Sequence, residues 1–225
     1  MDGILTLGRN LNRREIAVIR ESGVRTVSLY EKIPGFISLL IDEHAAGIAA
    51  ADYLYSRGHR QVGILAYRIG VARWYGRVTG FLERAAQLGL SVPKDANCIT
   101  SGGILGSERR VARELFRDFL KSGSPVRCFW VPSDYLAFGV LEEMDERGLR
   151  LGQDVSILSY DNLEGTGYAP WGKPRLSSFE PPLAEIGKKA AALLAEEAGD
   201  DGTECRMFQP HLVDRGSVGA GPVTP

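Results

Sequence analysis

A few acids, hydroxyls and one guanidinium stand where apolar strands of this sequence give way to turns or helices. Their shared chemistry is gripping a small polar molecule. "DVSILSYDN", Asp154 to Asn162, is apolar through its middle and then ends on Asp161. An acid there is either a turn residue bonded to its own backbone or an acceptor aimed at ligand hydroxyls. Arg77 comes early in a helical stretch whose Val78, Phe81, Leu82 and Ala85 share one face at about 100° per residue, which puts it at the edge of the buried stripe. Its planar donors suit paired hydroxyls, a carboxylate or a phosphate; the alternative is a surface ion pair. Ser133 and Asp134 end one strand and open a helix, where an oxygen either caps the first turn or reaches a ligand. Asp42, at another strand end, has the same two roles open. Trp74 stands just ahead of Arg77 and offers an aromatic face for the apolar side of a sugar ring. Tyr168 and Trp171 belong to the loop "EGTGYAPWGKP", whose glycines and aromatics read as a lid.

Catalytic and cofactor signatures are missing. There is no Gly-x-Ser-x-Gly elbow, phosphate loop or His-Glu-x-x-His. "GSVGAG" has glycines but no following helix, which removes a dinucleotide reading. His44, His59 and His211 are isolated, and His59 in "RGHR" reads as closing a turn, so no metal is expected. Glu142, Glu143, Asp145 and Glu146 read as a solvated helix face. The expectation is a protein that binds without making or breaking a bond and carries no cofactor.

Composition narrows the partners. Of 225 residues, 44% are hydrophobic and 24% charged, with net charge −1, so no surface is built to neutralise nucleic-acid phosphates. Cys98, Cys128 and Cys205 are odd in number and far apart, matching neither a disulfide framework nor a zinc site. That usage suggests a reducing compartment. The opening "MDGILTL" has neither a basic region nor a long apolar stretch, and no window approaches the roughly 18 apolar residues of a membrane span. The cytoplasm is the expected address.

The elements that must hold these residues alternate. Strands are read at Ile4–Leu7, Val24–Leu29, Ser38–Ile41, Val62–Leu65, near Ile99, Cys128–Val131, Val155–Ser159, Leu176–Phe179, and near Arg206–Phe208 and Leu212–Val213. Helices are read at Arg13–Glu21, His44–Ser56, Trp74–Leu88, Ser107–Lys121, Tyr135–Glu146 and Leu183–Glu197. Strands joined by such helices give an α/β fold of parallel sheets flanked by helices, with ligands outside the carboxyl ends of the strands. Asp161 then lies on the rim. The tail "GSVGAGPVTP" reads as flexible.

Five stretches, in order, resemble the LacI/GalR family of transcriptional regulators: "IDEHAAGIAAADYLYSRGHRQVGIL", "RVTGFLERAAQLGL", "FWVPSDYLAFGVLEEMDERGLRLGQDVSILSYDN", "PRLSSFEPPLAEIGKKAAALL" and "HLVDRGS". The resemblance implies the two-lobed, periplasmic-binding-protein type I-like effector domain. It places one lobe at 1–65 plus 179–211 and the other at 66–178 plus 212–225, with the ligand between them. Arg77 falls on the family's Arg-x-x-Gly-aromatic helix, Asp161 on an acid that accepts from ligand hydroxyls, and Ser133 where the family often has a ligand-contacting Asn. The implied partners are a small-molecule effector, a sugar or related metabolite, and a second copy of the chain. Operator DNA is reached only through a helix-turn-helix that this chain does not contain. The other reading of the same fold is a solute receptor of a sugar uptake transporter.

A further departure stands out. The family's first strand–helix–strand of lobe one is not matched, so that lobe is expected to be incomplete, with an unpaired parallel edge at Asp2–Leu7. Arg77 and Asp161, as rim groups, are expected to matter for the effector and little for stability.

Overall fold

Short apolar strands alternate with helices long enough to carry the chain back across a sheet. The computed structural model describes residues 3–7, 11–67, 72–100, 107–195 and 204–222, with backbone alone at 67, 72–75 and 97–100. The first elements are β1 (Ile4–Leu7), α1 (Arg13–Glu21), β2 (Thr26–Leu29), β3 (Ile37–Ile41) and α2 (Glu43–Ser56). Next come β4 (Gly63–Tyr67), α3 (Ala72–Leu88), β5 (Asn97–Thr100), α4 (Glu108–Lys121), β6 (Cys128–Val131) and α5 (Asp134–Glu146). The chain continues through β7 (Ser156–Tyr160), β8 (Ser177–Glu180), α6 (Leu183–Ala195), β9 (Cys205–Phe208) and β10 (His211–Val213). This is the α/β architecture of parallel sheets flanked by helices expected from the alternation.

The chain forms two units. The smaller comprises 1–42 and 181–210. Its sheet runs β1-β2-β3-β9, every pairing parallel. Val27, Leu29, Ile37 and Leu39 pack against Ile186, Ala190 and Leu193 of α6. The register pairs Leu5 with Val27 and Leu7 with Leu29, which puts these leucines on the same apolar face, since partners across a ladder point the same way. Leu5 and Leu7 are nevertheless 49% and 64% exposed. Among the described residues β1 is one edge of this sheet, with β9 at the other.

The larger unit comprises 43–180 and 211–225. Its sheet runs β10-β8-β7-β6-β4-β5, parallel throughout except β10, which lies antiparallel to β8. Alternation along β6 divides the core. Phe129 and Val131 join Ala112, Phe116, Leu136 and Val140 of α4 and α5, while Cys128 and Trp130 join Ala46, Ala50, Leu54 and Phe81 of α2 and α3. Burying both faces accounts for strands that read as unbroken apolar runs. No helix among the described residues is long and apolar enough to cross a membrane.

Two features differ from the sequence reading. That reading put the boundary near residue 65, whereas α2 and β4 lie in the larger unit. The reason is local: α2 packs along α3 and β4 pairs with β5 and β6. The tail read as flexible is also fastened down to residue 222. Ser217 and Val218 are buried, the Ser217 carbonyl accepts from Ile157 N at 3.0 Å, and Gly221 N donates to Arg57 O at 2.7 Å. Glycine makes this possible, because a side chain at Gly219 or Gly221 would collide with the backbone at Gly152 or at Gly58 and His59. His59 closes its turn as read, its backbone N donating to Leu54 O at 3.2 Å, and its Nε2 lies 3.1 Å from the Gly219 carbonyl.

Candidate functional site

Two strand ends and one helix start of the larger unit meet at one guanidinium. α2 and α3 approach closely because Gly47, Gly76 and Gly80 face the partner helix. A methyl group at Gly47 would collide with the Arg77 carbonyl and the Phe81 nitrogen, and one at Gly80 with the His44 carbonyl. The first turns of the two helices therefore lie side by side. Across that contact Glu43 grips Arg77 with both oxygens, Nε donating to Oε2 at 2.6 Å and Nη2 to Oε1 at 3.1 Å. Arg77 Nη1 donates to the Pro132 carbonyl at 2.9 Å, just beyond β6, and to Asp161 Oδ1 at 3.4 Å, just beyond β7. The Tyr160 ring covers one face of the guanidinium, 3.5 Å from ring centre to Cζ.

Arg77 is only 5% exposed. Burial pulls its pKa down, but Asp161 and Glu43 outweigh burial and hold it above the ordinary arginine value. The edge-of-stripe position read from the sequence therefore turns out to be interior. A buried bidentate pair of this kind demands good geometry to offset desolvation.

Asp161 itself sits on a strained corner. Its φ is 104° and that of Asn162 is 48°, two successive non-glycine residues at positive φ. Each costs about 1–3 kcal/mol unless its surroundings impose it. Here they do. Asp161 N donates to Phe179 O at 2.9 Å and Asn162 N to Ser178 Oγ at 3.0 Å. The Asn162 amide donates to Glu180 Oε2 at 2.9 Å and its oxygen accepts from Arg215 at 2.7 Å. The closing "HLVDRGS" thus finds a purpose, because Arg215 holds the corner that aims Asp161. Asp161 keeps 26% of its side chain exposed.

Asp134, 0% exposed, is a post for the same corner. It accepts from Leu163 N at 2.7 Å and from Ser178 Oγ at 2.9 Å. Burial, with Asp161 nearby, pushes its carboxyl up to about 7. A carboxyl raised in the folded state above its unfolded value near 4 supports stability fully at low pH. That contribution is lost as pH rises toward about 7. Subtracting the urea stability of Asp134→Asn from that of the unaltered chain, pH by pH, should expose a fall on the order of a few kcal/mol between about pH 4 and 7. A flat difference would show that Asp134 ionises freely.

The remaining sequence candidates fall as follows. Ser133 precedes α5 without a side-chain cap, and its buried hydroxyl has no hydrogen-bond partner among the described residues. A buried orphan of this sort calls for an explanation such as a bound molecule. The Tyr160 hydroxyl is different: burial holds its pKa above the ordinary tyrosine value, with a hydrogen bond toward the Glu43 carboxylate adding to the rise. Asp42 belongs to the smaller unit, where it accepts from Gln209 at 3.1 Å. Trp74 lies in the first turn of α3, and its side chain is outside the described residues. The loop read as a lid is tied down: Glu164 accepts from the nitrogens of Arg175 and Leu176, and Trp171 packs edge-on against Phe138. No group of three or more metal-ligating side chains occurs among the described residues.

Sequence reasoning missed Glu43, Tyr160, Asn162 and Arg215. Glu43 read as an ordinary acid in a first helical turn, a placement the helix dipole favours by itself. The available signal was the glycine pattern, Gly47 on one helix with Gly76 and Gly80 four apart on the next, which marks closely packed helices.

Residues 51–218 match the family model described as a periplasmic binding protein-like domain. A transcriptional repressor of the HTH type, PurR of Salmonella paratyphi B, is 30% identical over 190 residues, covering 83% of this chain and 53% of the repressor. The chain spans about half the length of the curated relatives it matches. Among solved structures, a probable transcription regulator from Thermus thermophilus has a TM-score of 0.80 at 26% identity, covering 100% of this chain and 82% of that one. A LacI-family regulator from Enterococcus faecium, solved with bound ribose, has a TM-score of 0.80 at 22% identity, covering 98% and 80%.

Proposed function

Since the chain belongs to the periplasmic binding protein-like family and is an effector-binding domain of the LacI/GalR type, we propose that it senses a small polyhydroxy metabolite at the Asp161 corner. The observation that carries this reading is the corner itself. Two strained residues are held by five contacts, from Arg77, Phe179, Ser178, Glu180 and Arg215, and they present a partly exposed carboxylate near a buried Ser133 hydroxyl that has no partner among the described residues. Strain of that cost persists where the surroundings fix it and a function uses it. Asp161 accepts from ligand hydroxyls, and Ser133 supplies a further polar contact.

The activity is binding, with its output through linkage. A ligand that favours one arrangement of the protein shifts the equilibrium toward it, and thereby the operator affinity of an attached DNA-reading module. The unit at work is a pair of chains in the cytoplasm.

The test is a thermal-shift screen over sugars and related polyols, followed by calorimetry on Asp161→Ala. The variant should lose about 1.5–3 kcal/mol of affinity for any hit, the range for hydrogen bonds to a charged group. Unchanged affinity would remove Asp161 from the site.

A further inference from the structure

We propose that Glu43 sets the chemical class of the effector: it occupies the donor edge of Arg77, closing the site to acids and leaving it to neutral polyols or amino-substituted ones. This rests on the reading of the Asp161 corner as the effector site.

A guanidinium recognises a carboxylate or phosphate by presenting two parallel N–H groups along one edge. In this chain the Nε/Nη2 edge is engaged by both oxygens of Glu43, at 2.6 and 3.1 Å, with the pair buried at 6% and 9% side-chain exposure. Nη1 serves the Pro132 carbonyl and Asp161, and the Tyr160 ring lies against one face. An incoming anion would have to displace an internal carboxylate already in bidentate geometry. Arg77 is therefore a positioning residue that fixes Asp161, and the group left partly open to solvent is an acceptor.

The backbone also commits Glu43 to its place, since Gly76 allows the Glu43 Cβ to approach within 3.1 Å of where its own side chain would begin.

Arg77 can be observed without knowing the effector. Side-chain 1H–15N spectra of the full chain are recorded for the unaltered protein and for Glu43→Gln during titration with inorganic phosphate. The Arg77 Nε–H signal should stay fixed in the unaltered protein. In Glu43→Gln it should move saturably with phosphate concentration, because the freed edge can make the charge-assisted contact. A saturable shift in the unaltered protein overturns the proposal, and so does an Arg77 signal in the variant as inert as before. If Glu43→Gln does not fold, Glu43→Asp, one methylene short of the fork, takes its place with the same expectation.

The second arm titrates matched neutral, amino and acid forms of common hexoses by calorimetry. An Asp161-dependent acid ligand defeats the Glu43 assignment while leaving the effector site standing. If binding occurs only at positions untouched by Asp161→Ala, the site reading itself falls, whatever phosphate does at Arg77.

Discussion

Replacing Arg77 with methionine should cost about 3–5 kcal/mol of folding stability, the penalty for leaving a buried charge without its partner. The methionine fills much of the same volume, so the loss reports on charge rather than on a cavity. Glu43, with 9% of its side chain exposed, would be left facing Asp161 with no cation between them. Urea unfolding should show a lower midpoint at unchanged slope. Combining Arg77→Met with Glu43→Gln should recover a good part of the loss, because the stranded charge is gone. Two single losses that simply add would mean that the pair does not interact. The sequence reading put Arg77 on the rim and expected little change in stability. The structure reverses that expectation because Arg77 is 5% exposed and anchors three partners.

Gly47→Ala is the second large effect. One methyl group at this position meets the Arg77 carbonyl and the Phe81 nitrogen, both backbone atoms that cannot rotate aside. Overpacking of a well-packed contact costs about 1–3 kcal/mol. The more telling consequence is geometric. Moving α2 away from α3 separates the two first turns and draws Glu43 off Arg77, so the variant should acquire the phosphate response proposed for Glu43→Gln while keeping both side chains. Full stability with an unmoved Arg77 signal would show that the helices have slack. Alanine is an excellent helix former, which makes any loss attributable to the contact and not to propensity.

Particular residues show how far a sequence can be read. β1, α1 and β6 fall at the residues expected, and the other helices begin within two residues of expectation. Their signals, apolar runs punctuated by Gly58, Gly89 and Gly123, are local. Asp161 was legible because an apolar strand seldom ends on an acid without cause. Arg77 was legible as a residue near the strand ends, but its burial was not. Helical periodicity gives the direction of a side chain and not what stands opposite it, and what stands opposite is Glu43, from a helix 34 positions away in the chain. The glycine-rich tail misled for a related reason. Composition reports conformational freedom, whereas Gly219 and Gly221 are used for close approach to other backbone.

That last segment has a bearing on how the protein is made. β10 completes the larger sheet, and residues 216–222 are stitched to Arg57, Ser156 and Ile157, which leave the ribosome much earlier. Domains generally fold as units. A nascent chain that carries β4 to β8 but not this stitch would wait with part of its core open until residues 211–222 emerge.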